Sequence, residues 1–138
     1  KFSDIIKTKN LQFVTNINAI NQVADIDKDS VFFILDNILD NAVKYNTNMG
    51  SICLSAFNNE KNQLIITCED TGIGISKEYL ETLFTPFSQE DEGYSRRFEG
   101  NGLGLTIAKK MCELNDIDFS IKSQKGKGTT VTLVFNLV

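Results

Sequence analysis

The chain has no histidine, a single proline and only three cysteines in 138 residues. Without histidine it lacks the commonest general base and any histidine able to carry a phosphoryl group. Cys53, Cys68 and Cys112 are odd in number and widely spaced, and with no imidazole beside them they cannot assemble a usual zinc site. They read as reduced core cysteines. No apolar run approaches the roughly 18 residues of a membrane span, and no signal-peptide pattern opens the chain. A net charge of −4 argues against nucleic acid as the main partner, because phosphate backbones need a clustered basic surface.

What is present suits one soluble domain with a proper core: 41% hydrophobic and 23% charged residues. Lys1 rather than Met at the start reads as a piece of a longer protein. Phe2, Ile5 and Ile6 at helical spacing make residues 1–10 the tail of a helix entering from upstream. Leu11 to Ile17 alternates as a strand would, and Gln22 to Ile26 reads as a second short one. Asp25, Asp27 and Asp29 resemble the opening of a calcium loop, but Ser30 and Asp36 stand where such a loop needs Gly and Glu. Asp27 as a helix cap is the better reading.

The helix expected over residues 28–45 carries Val31, Ile34, Leu35, Ile38 and Ala42 on one stripe and Asp29, Asp36 and Asp40 on the opposite flank. Asn37, Asn41 and Lys44 fall between these faces, where they would edge a cavity or simply meet solvent. Ser51–Phe57 and Gln63–Asp70 read as a hairpin. In its second strand Leu64, Ile66, Cys68 and Asp70 share a face, so an apolar row ends in a carboxylate just before Thr71-Gly72-Ile73-Gly74-Ile75. A carboxylate at the end of such a row needs hydrogen-bond donors or an outlet to solvent.

A short helix begins at Ser76 and ends near Phe84. From Ser88 to Asn101 there is no hydrophobic period, which suggests a mobile loop. It contains Arg96 and Arg97 and runs into Gly100-Asn101-Gly102-Leu103-Gly104-Leu105, glycines at every second position at the mouth of a helix, suited to phosphate. That helix, Leu103 to Leu114, is expected to bury Ile107, Met111 and Leu114. Strands Ile117–Ser123 and Thr129–Val138 flank Gly126-Lys127-Gly128, with Lys122, Lys125 and Lys127 as a solvated rim. Helices and hairpins mixed without βαβ alternation point to an α+β two-layer sandwich.

Taken in order, Asn37-x3-Asn41-Ala42-x-Lys44, Asp70-Thr71-Gly72-Ile73-Gly74, Phe84-x2-Phe87, the glycine turn at 100–104 and Gly126-x-Gly128-Thr129 resemble the ATP-binding catalytic domain of sensor histidine kinases, in the superfamily shared with DNA gyrase. The resemblance spans about residues 23–138. It implies a Bergerat fold, a mixed, mostly antiparallel sheet of about five strands covered on one face by about three helices. It also implies an ATP lid over about 85–101, with residues 1–10 ending a linker from a dimerisation domain.

For the site, the resemblance implies that Asp70 accepts from the exocyclic amine of adenine, that Gly72 and Gly74 let the backbone lie against the base, and that Ile75 and Phe87 wall it. Thr129 would support Asp70 through its hydroxyl or a water. Asn41 would ligate Mg²⁺ beside Asn37, Lys44 would meet phosphate, and Tyr45 would lie beside the nucleotide. Gly102, Leu103, Gly104 and Leu105 would bed the phosphates, and Arg97, or else Arg96, would reach the γ-phosphate. Related ATPases place a glutamate general base at the position of Asn37; an amide cannot take a proton at neutral pH. The implied activity is therefore transfer to a histidine on an upstream dimerisation domain and onward to a response regulator receiver domain, with little hydrolysis. A related ATPase or an anti-sigma-type serine kinase is the alternative. The resemblance further implies a cytoplasmic domain of a protein anchored in the inner membrane, itself monomeric and without direct membrane contact.

Overall fold

The computed structural model describes residues 3–18, 27–83 and 103–136. In chain order these form α1 (Ser3–Lys9), β1 (Gln12–Ile17), α2 (Lys28–Lys44), β2 (Ser51–Asn58), β3 (Leu64–Asp70), α3 (Lys77–Leu83), α4 (Leu103–Leu114), β4 (Asp118–Gln124) and β5 (Gly128–Phe135). The five strands make one open sheet in the order β1-β2-β3-β5-β4. All neighbours run antiparallel except β1 and β2, which run parallel with Phe13 opposite Ile52. Helices α2 and α4 pack side by side on one face, giving the α+β two-layer sandwich expected. The segments expected as a strand at 22–26 and a lid at 85–101 lie outside the described residues.

Local chemistry explains where the elements start and stop. Asp27 caps α2, its carboxylate accepting from the Ser30 backbone N–H at 3.1 Å and from the Ser30 hydroxyl at 2.9 Å. Ser76 caps α3 by accepting from the Tyr79 N–H. Asn59 ties the β2–β3 turn by accepting from the Lys61 and Gln63 N–H groups, and Asn62 takes the left-handed conformation that asparagine tolerates. The carbonyls ending α2 have an unusual partner. The Lys9 ammonium donates to those of Val43, Lys44 and Asn46 at 3.2, 2.6 and 3.3 Å, which matches cation to helix C-terminus and clips α1 to α2.

Between the layers lie Ile34, Ile38, Ala42 and Val43 of α2, Leu105, Ala108 and Cys112 of α4, and Ile52, Leu64, Cys68, Val131, Leu133 and Phe135 of the sheet. Burying each large aliphatic contributes about 1.5–3 kcal/mol. The stripe expected for α4 is corrected here. Ile107 and Leu114 are exposed and Met111 only half-buried, while Leu105, Ala108 and Cys112 form the inner face. Small side chains there let α4 approach α2, although they weigh little in a hydrophobic pattern. The cysteines also divide. Cys68 and Cys112 are core residues, but Cys53 is half-exposed. Among the described residues no helix is long and apolar enough to cross a membrane.

Candidate functional site

Where the C-terminal end of α2 meets the ends of β3 and β5, the layers part into a cleft open to solvent. Ile38, Ala42, Cys68, Ile75, Leu105 and Val131 give it apolar walls, and Asn41, Tyr45, Asp70 and Thr129 give it polar groups.

Asp70 sits at the end of β3, half-buried. One carboxylate oxygen accepts from the Gly72 backbone N–H at 2.8 Å, and the Thr129 backbone N–H on the neighbouring strand lies close enough to favour the charged carboxylate. Burial raises its pKa above 3.8, and the two N–H groups pull the other way. The carboxylate is therefore fixed in place with acceptor capacity to spare at the cleft.

The hydroxyl of Thr129, expected to support Asp70 directly or through a water, has a protein partner of its own. It does not bond Asp70 but meets Ser123 Oγ at 2.7 Å. Ser123, which sequence reasoning missed, also accepts from the Ile75 N–H at 2.7 Å and donates to the Gly128 carbonyl at 2.9 Å. It thereby ties β4, β5 and the turn after Asp70 together. The alternation Phe119, Ile121, Ser123 along β4 was the available signal, since it puts Ser123 on the helix-facing side.

The glycines after Asp70 make close approaches within the protein. A Cβ on Gly72 would stand 2.4 Å from the Tyr45 carbonyl oxygen. One on Gly74, at φ +73°, would stand 2.1 Å from that of Gln124. Both substitutions would push the turn out of register with α2 and β4.

Along the polar edge of α2, Asn37 donates to the Phe33 carbonyl one turn back at 2.9 Å. Its Oδ1 faces the first turn of α4: a Cβ on Gly104 would stand 3.3 Å from Asn37 Oδ1 and 4.0 Å from Asn41 Oδ1. The fold thus brings Gly104, the last of the glycines expected to bed phosphates, against both asparagines in the first turn of a helix. Lys44 is exposed and pairs with Asp40 at 3.0 Å; that hydrogen bond raises its pKa. Tyr45 caps α2 and borders the cleft, where burial raises its phenol pKa. Burial pushes the Cys68 thiol up to about 12, so it lines the wall as a neutral group.

The structure therefore gathers Asn41, Tyr45, Asp70, Gly74, Ile75, Leu105 and Thr129 around one cleft. It places Asn37, Gly72 and Gly104 immediately beside it. Lys44 stands one residue from Tyr45 on the exposed side, and Leu103 opens α4. Phe87, Arg96, Arg97 and Gly102 lie outside the described residues.

An α+β sandwich with an acidic, apolar-walled cleft between its helices and a strand end defines a class, and comparison with known proteins specifies it. The profile of the histidine kinase-, DNA gyrase B-, and HSP90-like ATPase family matches residues 26–138. The chain belongs to that family. It is 37% identical over 130 residues to the sensor histidine kinase WalK of Bacillus subtilis, covering 94% of this chain and 21% of the relative. The catalytic domain of the histidine kinase ThkA superposes with a TM-score of 0.74 at 18% identity, covering 97% of this chain and 83% of that one. Full-length ShkA, solved in complex with AMPPNP, superposes at 0.72 with 22% identity, covering 97% and 27%. The chain spans about a fifth of the length of the curated sensor kinase WalK, and it corresponds to the catalytic ATP-binding domain of such kinases.

Proposed function

We propose that this domain binds ATP with Mg²⁺ and presents the γ-phosphate to a histidine on a dimerisation domain elsewhere in the parent protein, from which a response regulator receiver domain takes it. The observation that carries the reading is the Asp70 carboxylate, held by the Gly72 backbone N–H at the mouth of an apolar slot. A fixed acceptor there suits the exocyclic amine of adenine and repels the carbonyl oxygen of guanine.

Asn41 and Asn37 fit a magnesium ion, because their neutral amide oxygens both border the first turn of α4. Mg²⁺ takes few protein ligands and completes its shell with water and phosphate. When bound, the ion would neutralise phosphate charge. Gly102, Leu103, Gly104 and Leu105 would supply backbone N–H groups to the phosphates, and Lys44, released from its solvent-exposed partner Asp40, a point charge. Phe87 would cover the base, and Arg97, with Arg96 as the second choice, would contact the γ-phosphate. Residues 1–10 would carry the connection to the dimerisation domain, and the parent protein would be anchored in the inner membrane.

Asn37 stands where the related hydrolases carry a carboxylate, and an amide at that position cannot take a proton from a water beside the phosphates. Two measurements on one sample test the proposal: calorimetric titration with Mg–ATP and continuous detection of phosphate release. Saturable binding with little release is expected. No binding, or rapid release, contradicts it.

A further inference from the structure

We propose that Ser123 sets the hydrogen-bond polarity of the cleft, fixing Thr129 as an acceptor and making it a second reader of the base. The inference rests on the reading of this cleft as a purine site.

Four groups determine the polarity. The Gly128 carbonyl carries no proton, so Ser123 donates its single proton there, at 2.9 Å. The Ile75 backbone N–H can only donate, and it takes one Ser123 lone pair at 2.7 Å. What remains on Ser123 Oγ is one lone pair, and Thr129 Oγ1 lies 2.7 Å from it. Two oxygens at that distance must share a proton, and Ser123 has none left. Thr129 therefore donates to Ser123, and its hydroxyl shows the cleft only lone pairs.

Thr129 is nearly buried and lines the same cleft as Asp70, its direct partner across the β3–β5 ladder. Asp70 is an acceptor by charge; Thr129 becomes one by the orientation Ser123 imposes. The cleft then offers two acceptors side by side and no hydroxyl donor between them. That matches a 6-amino purine, whose exocyclic nitrogen carries two N–H groups and can satisfy both acceptors directly. It rejects a 6-oxo purine twice, because neither group can turn a donor towards its oxygen. Ser123 is a positioning residue here, acting through Thr129.

Calorimetric dissociation constants for Mg–ATP and Mg–ITP test the inference in the wild-type chain and in Ser123→Ala, Ser123→Thr and Thr129→Val. In Ser123→Ala the Thr129 hydroxyl is free to turn and donate, so the preference for ATP over ITP should fall about fivefold, the scale of one net hydrogen bond. Ser123→Thr keeps the hydroxyl and should restore the wild-type ratio. Thr129→Val, which does not depend on the Ser123 variants folding, should weaken ATP about fivefold and leave ITP unchanged. Equal losses for both nucleotides in Ser123→Ala would make Ser123 a mere structural tie and overturn the inference, as would a Thr129→Val variant that loses ITP rather than ATP. If the wild-type chain binds no Mg–ATP, the purine-site reading itself fails. Wild-type preference for ATP with an unchanged ratio in Ser123→Ala overturns only the role of Ser123.

Discussion

At the Asp70 end of the cleft the polar groups are fastened by strand and turn backbone, whereas along the edge of α2 Asn37 and Lys44 are held, among the described residues, by neighbours one helical turn away. Asp70 accepts from the Gly72 N–H, and Ser123 joins Ile75, Gly128 and Thr129. Across the cleft, Asn37 bonds the Phe33 carbonyl, and Lys44 pairs with Asp40 in solvent. The contrast suits the two chemistries proposed. A base is read by a rigid pattern of donors and acceptors, which must exist before it arrives. Phosphates and a metal ion bring strong charge of their own and can draw long side chains into place.

The contrast can be broken from the rigid side first. Asp70→Asn should lower ATP affinity by about two orders of magnitude, since a donor then faces the amine and leaves buried groups unpaired. Titration of the variant measures the loss. Its thermal unfolding should show no drop in stability at neutral pH, because the change removes the cost of a half-buried charge. Gly128→Ala attacks the same end through the backbone. Gly128 has φ +120°, and a Cβ there would stand 2.0 Å from the Asp70 carbonyl oxygen. About 3 kcal/mol should be lost in urea unfolding.

Acid supplies a milder break. The Asp70 carboxyl is raised above 3.8 by burial, so the folded protein binds its proton more tightly than the unfolded chain does. Its charge therefore opposes folding at neutral pH, and that opposition fades as pH falls through the raised value. Over the same interval the acceptor becomes a protonated carboxyl, so ATP affinity should fall at a pH above 3.8, and titration across pH checks the sign. Asp70→Asn should lose this pH dependence.

On the pliable side the effects shrink. Lys44→Ala should change stability by no more than about 0.5 kcal/mol, as solvent-exposed ion pairs contribute little. It should weaken ATP about threefold to tenfold, with a shallower dependence on salt. Calorimetry at two salt concentrations separates these effects.

The same contrast marks what was legible in the sequence. Strand alternation ending in a carboxylate and glycines is a local pattern, so Asp70 and its turn could be read directly from residues 64–74. The α2 edge followed from helical geometry, and the structure keeps Asn37 and Asn41 beside Gly104. The inner face of α4 was misread because Ala108 and Cys112 carry weak hydrophobic signal although they pack closely. The parallel pairing of β1 with β2, and the position of β5 between β3 and β4, depend on long-range contacts that no local period encodes. The bond from Thr129 to Ser123 belongs to the same group, since it exists only once two strands are in register.

The central claim is that a rigid acceptor at Asp70 selects the base. Side-by-side calorimetric titration of the wild-type chain with Mg–ATP and Mg–GTP tests it most directly. Saturable binding of ATP, with GTP weaker by at least about a hundredfold, is expected; equal affinity for the two nucleotides would mean that Asp70 does not select the base.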